Sequence, residues 1–133
     1  MDYRERTWTF LRVTYGLFFF TTGVWIWLHL FTGRFPAPVQ PTPQAAAFMT
    51  AFSATGFMDP LLGLSYLVGG GALAARRTAP LGLVILAPSV AVIFFFDLLL
   101  AGQTYWPILV AGWFAALSWR FRAGLWPLVH STA

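Results

Sequence analysis

Between Trp8 and Trp119 the chain carries almost no charge. Long apolar runs follow one another, broken only by Arg12, Arg34, Asp59, the Arg76-Arg77 pair and Asp97. This pattern sets the solvent before it sets the fold. An apolar run of about 20 residues is the length that crosses the hydrocarbon core of a bilayer as a helix. The runs are therefore expected to be membrane-spanning helices. Charged residues are 9% of the chain, against roughly 25% in a soluble domain, too few to coat a water-exposed globule. Aromatic residues are 19%, and Trp and Tyr favour the headgroup level of a membrane.

The expected architecture is therefore all-α: a single transmembrane domain, an integral membrane four-helix bundle with spans at about 8–31, 59–75, 78–100 and 105–119. The apolar stretch from Phe10 to Phe31 is longer than the roughly 7–15 residues of a signal-peptide core, and it reads as an uncleaved first span. Arg12 lies one turn inside it and is expected to snorkel back to the headgroups. Residues 35–58 form an uncharged segment that opens with Pro36, Pro38, Pro41 and Pro43. Thr42 can cap a short helix there, with Pro43 at its first position and Gly56 ending it. That helix is too short to span, so it is expected to lie in the interface or to be re-entrant. It would also fill depth left by the second span, which at about 1.5 Å per residue falls short of the roughly 30 Å core. Asp59-Pro60 reads as the cap and first turn of span two. Pro80 opens span three and Pro88 interrupts its interior. Leu125, Trp126, Leu128 and Val129, in a tail from 120 to 133, are expected on the membrane surface.

All eight basic residues are arginine. With four spans, Arg4, Arg6, Arg76, Arg77, Arg120 and Arg122 fall on one side and Arg34 alone on the other. The positive-inside rule then places both termini in the cytoplasm and the chain in a bacterial inner (plasma) membrane. The net charge of +4 does not indicate nucleic acid, because the arginines sit in small groups and form no continuous basic face.

Few polar groups lie among the apolar runs, and several belong to one depth, near the outer end. His29 ends span one, Asp59 begins span two, Asp97 lies about 18 residues into span three, and Gln103 and Tyr105 are in the outer turn. Ionisable groups in a membrane pair with one another or line a cavity. His29 and Asp97 can form a hydrogen-bonded pair, either as a clamp on the bundle's outer ends or as part of a ligand site. Trp25, one helical turn from His29, offers a stacking surface. Asp59, Gly63, Tyr66 and Gly70 share a face of span two. Together, Trp25, His29, Asp59, Tyr66, Asp97 and Gln103 are the candidate rim of a shallow pocket suited to a quinone or a lipid headgroup. The small residues also suit close packing, through Ser65 with Gly69 and Gly71 with Ala75. There is no Cys, which removes disulfides and thiolate metal sites. No metal-ligand spacing occurs. Two histidines at opposite ends cannot hold one haem, and Gly69-Gly70-Gly71 without a following Lys is not a phosphate loop.

In the order of these features the chain resembles the DoxX-like family of small four-span membrane proteins. The features are Gly16-Leu17-Phe18-Phe19 through Gly23, a proline-bearing outer segment with Phe48 and Gly56, Asp59 with Gly63, then Gly70-Gly71, then Arg76-Arg77. His29 stands in the region where that family often carries Lys. The resemblance implies a membrane subunit near redox chemistry. Three roles follow as expectations: a non-catalytic accessory or assembly subunit of a larger membrane complex or homo-oligomer, a quinone-linked oxidoreductase component, or a carrier of lipid or a small molecule.

Overall fold

A computed structural model describes residues 2–34 and 37–130. Phe35 and Pro36, at the start of the outer segment, and the last three residues of the tail lie outside the described residues. Every regular element among the described residues is helical: α1 (Tyr3–Thr32), α2 (Pro43–Ala54), α3 (Met58–Ala74), α4 (Ala79–Phe95) continued by a π-helical turn (Phe96–Leu100), α5 (Tyr105–Arg120) and α6 (Arg122–Val129). The all-α expectation holds. α1, and α4 together with its π-helical turn, are long and apolar enough to cross a membrane. α3 and α5, of 17 and 16 residues, reach only about 24–26 Å at about 1.5 Å per residue.

Several boundaries differ from the sequence reading. α1 starts at Tyr3, a full turn before the apolar run, because Arg4, Glu5 and Arg6 are good helix formers. α3 starts at Met58, whose N–H donates to Thr55 Oγ1 at 3.2 Å. Asp59 is therefore a first-turn residue and not the cap. Its charge still suits the positive end of the helix dipole. The short helix expected after the prolines forms. Thr42 Oγ1 accepts from the Ala45 N–H at 3.1 Å, Pro43 is at the first position, and Gly56 leaves the helix at φ +78°, a conformation that glycine adopts without strain. α2 and α3 meet at 92°, so α2 lies across the end of the helices it joins.

The most extensive helix contact among the described residues is between α1 and α3, which run antiparallel. A Cβ on Gly16 would stand 2.7 Å from the Gly70 carbonyl oxygen, and a Cβ on Gly70 would stand 2.5 Å from that of Gly16. Seven residues further, Gly23 meets the Gly63 carbonyl in the same way, at 3.0 Å. Two glycines at matching spacing on each helix let backbone touch backbone, the arrangement small residues permit in lipid. The gap over Gly63 is closed by Trp27, whose indole nitrogen lies 3.0 Å from that Cβ position. The next seam repeats the device. A Cβ on Gly82 of α4 would meet the Leu73 nitrogen at 2.5 Å, and one on Gly69 would meet Leu86 at 2.7 Å. The pairing expected of Gly71 with Ala75 is not made, since both residues are exposed. Gly71 is open, with nothing nearer than Phe20 at 3.8 Å.

α1 meets α5 differently, through large side chains. The Tyr15 hydroxyl donates to the Val110 carbonyl at 3.0 Å, and the Trp113 indole donates to the Leu11 carbonyl at 3.2 Å. Phe18 meets Trp106 edge-on at 5.5 Å. Arg12 does not snorkel out. It is 6% exposed, and its Nη1 donates to the carbonyls of Leu73, at 2.9 Å, and of Ala74. These are end-of-helix carbonyls with no partner further along α3, so the arginine serves as a C-cap from a neighbouring helix. Gly124 of α6 rests on Pro80, while Trp126, Leu128 and Val129 stay exposed.

Gly70→Ala is expected to lower stability by about 1–3 kcal/mol, the usual range for overpacking, because the added methyl meets backbone that cannot move aside. Gly71→Ala, one residue on, is expected to change little. Thermal unfolding of both variants in one detergent checks this, and equal shifts would contradict the glycine seam.

Candidate functional site

Under α2, between α1, α3, α4 and α5, lies an open-sided cavity of about 710 Å³. That is within the range of about 300–1,000 Å³ typical of small-molecule sites. Its origin is in the seams. α1 and α3 are drawn together by glycines, while aromatic side chains set the spacing of α1 and α5. Pro88 and Ser89 of α4 open onto the space. Beyond them the helix widens into the π turn, where the Ala101 N–H reaches back to the Phe96 carbonyl at 2.9 Å. Such turns re-aim side chains and recur at functional sites. Here the turn carries Asp97 into the lining of the cavity.

The walls are apolar and aromatic, with Phe18, Phe19, Phe48, Phe52, Phe96 and Trp106 among them. Polar groups are few. Tyr66 is 5% exposed and its ring meets Phe19 edge-on at 5.0 Å. Its hydroxyl makes no hydrogen bond among the described residues, and the side chain borders the cavity within electrostatic reach of Asp97. Gln40, Gln103, Thr22, Ser65 and Ser89 complete the polar set. The hydroxyls of Thr22 and Ser65 are committed to the carbonyls of Phe18 and Leu61 in their own helices.

α2 forms the roof. Thr42 Oγ1 donates to the Leu100 carbonyl at the end of the π turn, Phe48 meets Phe96 at 5.3 Å, and Ala45 is fully buried. The roof is thus tied at its start and along one face to the segment that carries Asp97.

Of the six candidate rim residues, the fold brings Tyr66, Asp97 and Gln103 to one cavity. Trp25, His29 and Asp59 do not line it. His29 is half-buried near the end of α1, where its carbonyl accepts the Gly33 N–H at 3.0 Å, and Trp25 is 44% exposed. That these residues lie toward one end of the helices was readable from their positions, but the helix faces were not, because the faces depend on which neighbour each helix chooses. The lining residues missed in the sequence are mainly Phe18, Phe96, Ser89 and Trp106. The proline at Pro88, followed directly by a serine within an apolar run, was the signal available for Ser89. Among the described residues no group of three or more His, Asp or Glu is placed to hold a metal ion.

No family model, no curated protein and no solved structure matches the chain. The resemblance to the DoxX-like family therefore has no support beyond the order of sequence features.

Thr42→Val removes both the bond to Leu100 and the helix cap, a loss of about 1 kcal/mol that falls on α2 alone. Hydrogen exchange is expected to speed up across Pro43–Ala54 while α1 and α3 keep their protection. Unchanged exchange in α2 would show that the roof is not held there.

Proposed function

We propose that the chain is a four-span membrane protein whose outward-facing cavity binds a largely apolar small molecule with a polar ring or head, of the quinone class. In this reading it acts as a non-catalytic binding subunit within a larger membrane assembly. Four crossings agree with the antiparallel seams of α1 with α3 and of α3 with α4. They also agree with the gathering of Arg4, Arg6, Arg76, Arg77, Arg120 and Arg122 at one end of the helices and Arg34 at the other. The arginine-rich end faces the cytoplasm by the positive-inside rule. The cavity then opens toward the outer leaflet, with α2 lying in the interface and covering the depth that α3 leaves short. The outward faces of the helices, with Leu17 and Val24 of α1, Leu64 and Val68 of α3 and Leu81 and Val84 of α4 exposed, suit lipid or a partner in the membrane.

The observation that carries the binding proposal is the cavity itself, apolar in its walls and bordered by Tyr66, whose hydroxyl has no hydrogen-bond partner among the described residues, together with a carboxyl and an amide. A ring carbonyl can accept from Tyr66 and from the Gln103 amide. A ring hydroxyl can donate to Asp97. The aromatic walls offer the edge and face contacts that planar rings prefer, and an acyl or isoprenoid tail can leave through the open side into lipid.

The test is a titration of the purified protein with a short-tailed benzoquinone, read by tryptophan quenching, to which Trp106 contributes directly. Binding is expected to saturate. Tyr66→Phe and Gln103→Leu are each expected to weaken it about tenfold, the effect of losing one buried hydrogen bond, while Asp59→Asn, outside the cavity, leaves it unchanged. Non-saturating quenching that is the same in all variants would mean partitioning into detergent and would reject the site.

A further inference from the structure

At the opposite end of the helices three arginines from three different elements line one small cavity of about 60 Å³. Arg12 comes from α1, Arg76 from the turn between α3 and α4, and Arg120 from the last position of α5. Glu5, Trp8, Thr9 and Phe121 complete the lining. As roughly 10–15 Å³ is enough to hold one water, the space admits a group of oxygens the size of a phosphate. We propose that this cavity is a binding site for a phosphate group, supplied by the headgroup of an anionic membrane lipid.

The charge is unbalanced. Three arginines face one glutamate, and neither Glu5 nor any of the three arginines takes part in an ion pair among the described residues. Arg12 and Arg76 are near enough to repel each other, so an anion between them relieves repulsion as well as adding attraction. Arg12 is also fixed in place. Nη1 is spent on the carbonyls of Leu73 and Ala74, which locks the guanidinium plane. Nε and Nη2 are left without a hydrogen-bond partner among the described residues. A planar fork held rigid beside two further cations matches the geometry of phosphate recognition.

The level favours a lipid as the source. The cavity lies where α1, α3 and α5 pass from apolar sequence into arginine-rich ends, which is the depth of the headgroups, with Trp8 as an interfacial aromatic. The site is separate from the cavity under α2, and the two proposals stand or fall independently.

The test uses the full chain in detergent, with phosphatidic acid added and retained lipid measured by native mass spectrometry. Inorganic phosphate serves as the soluble competitor. Arg12 is left unaltered because it caps α3. The double variant Arg76→Gln with Arg120→Gln is expected to weaken lipid binding at least about tenfold, the effect of losing charge-assisted bonds to phosphate. The charge-matched double variant Arg77→Gln with Arg122→Gln, at the same end but outside the cavity, is expected to change it less than about twofold. Glu5→Gln is expected to tighten it. Displacement of the lipid by millimolar phosphate would show that the phosphate alone is recognised, and failure to displace would show that the site requires the lipid. Equal losses in the two double variants, with thermal unfolding showing both folded, would reduce the effect to surface charge and overturn the proposal, as would the absence of retained lipid.

Discussion

The contact on which the rest of the molecule depends is the one between α1 and α3, where Gly16 and Gly23 lie against Gly70 and Gly63 with backbone on backbone. Lipid gives two helices no hydrophobic reason to associate, so packing and polar contacts must hold them. The glycines supply the packing. Arg12 supplies the polar contact, closing the end of α3 from the side of α1. Each needs the other: the carbonyls of Leu73 and Ala74 come within reach of Arg12 because the helices are close, and the arginine is sheltered because they are.

This seam also makes the cavity possible. Drawing α1 onto α3 on one side, while Tyr15, Phe18, Trp106 and Trp113 fill the junction with α5 on the other, leaves the helices unevenly spaced. The space falls at the end away from Arg12, under α2. The polar groups there are not scattered. Tyr66 is carried on the helix that the glycines position, and Asp97 is carried on the π turn to which Thr42 ties the roof. A change at the seam should therefore be felt at the cavity, although the two share no residue.

Much of this was legible in the sequence. Thr42-Pro43 and Gly56 marked α2 almost to the residue, because caps, a first-turn proline and a terminal glycine act locally. The arginine groups marked the helix ends for the same reason. The seven-residue spacing of glycines is present in both the first and the third helix, but the packing pairs read from the sequence were Ser65 with Gly69 and Gly71 with Ala75, and only the fold shows that Gly16 and Gly23 meet Gly70 and Gly63. The cap of α3 was placed two residues late, at Asp59 rather than Phe57, because Thr55, three residues before Met58, competes for the start of α3. Arg12 was expected at the surface because its burial depends on carbonyls about sixty residues away in the chain. The π turn left no mark in the sequence, since Phe-Asp-Leu-Leu-Leu continues an ordinary helix, and with it the aim of Asp97 was lost.

The central claim is that the space under α2 is open and takes up an apolar ring. The chain has no cysteine, so a single introduced thiol reports on one position. Ser89 borders the cavity, and Leu86, less than one turn away on α4, is fully buried. In membranes, Ser89→Cys should react with a small neutral maleimide, slow several-fold when a short-tailed benzoquinone with every ring position substituted against thiol addition is added, and recover when the quinone is washed out, while Leu86→Cys should stay inert. A Ser89→Cys thiol as inert as Leu86→Cys, or one that reacts at the same rate with and without the quinone, would contradict the account.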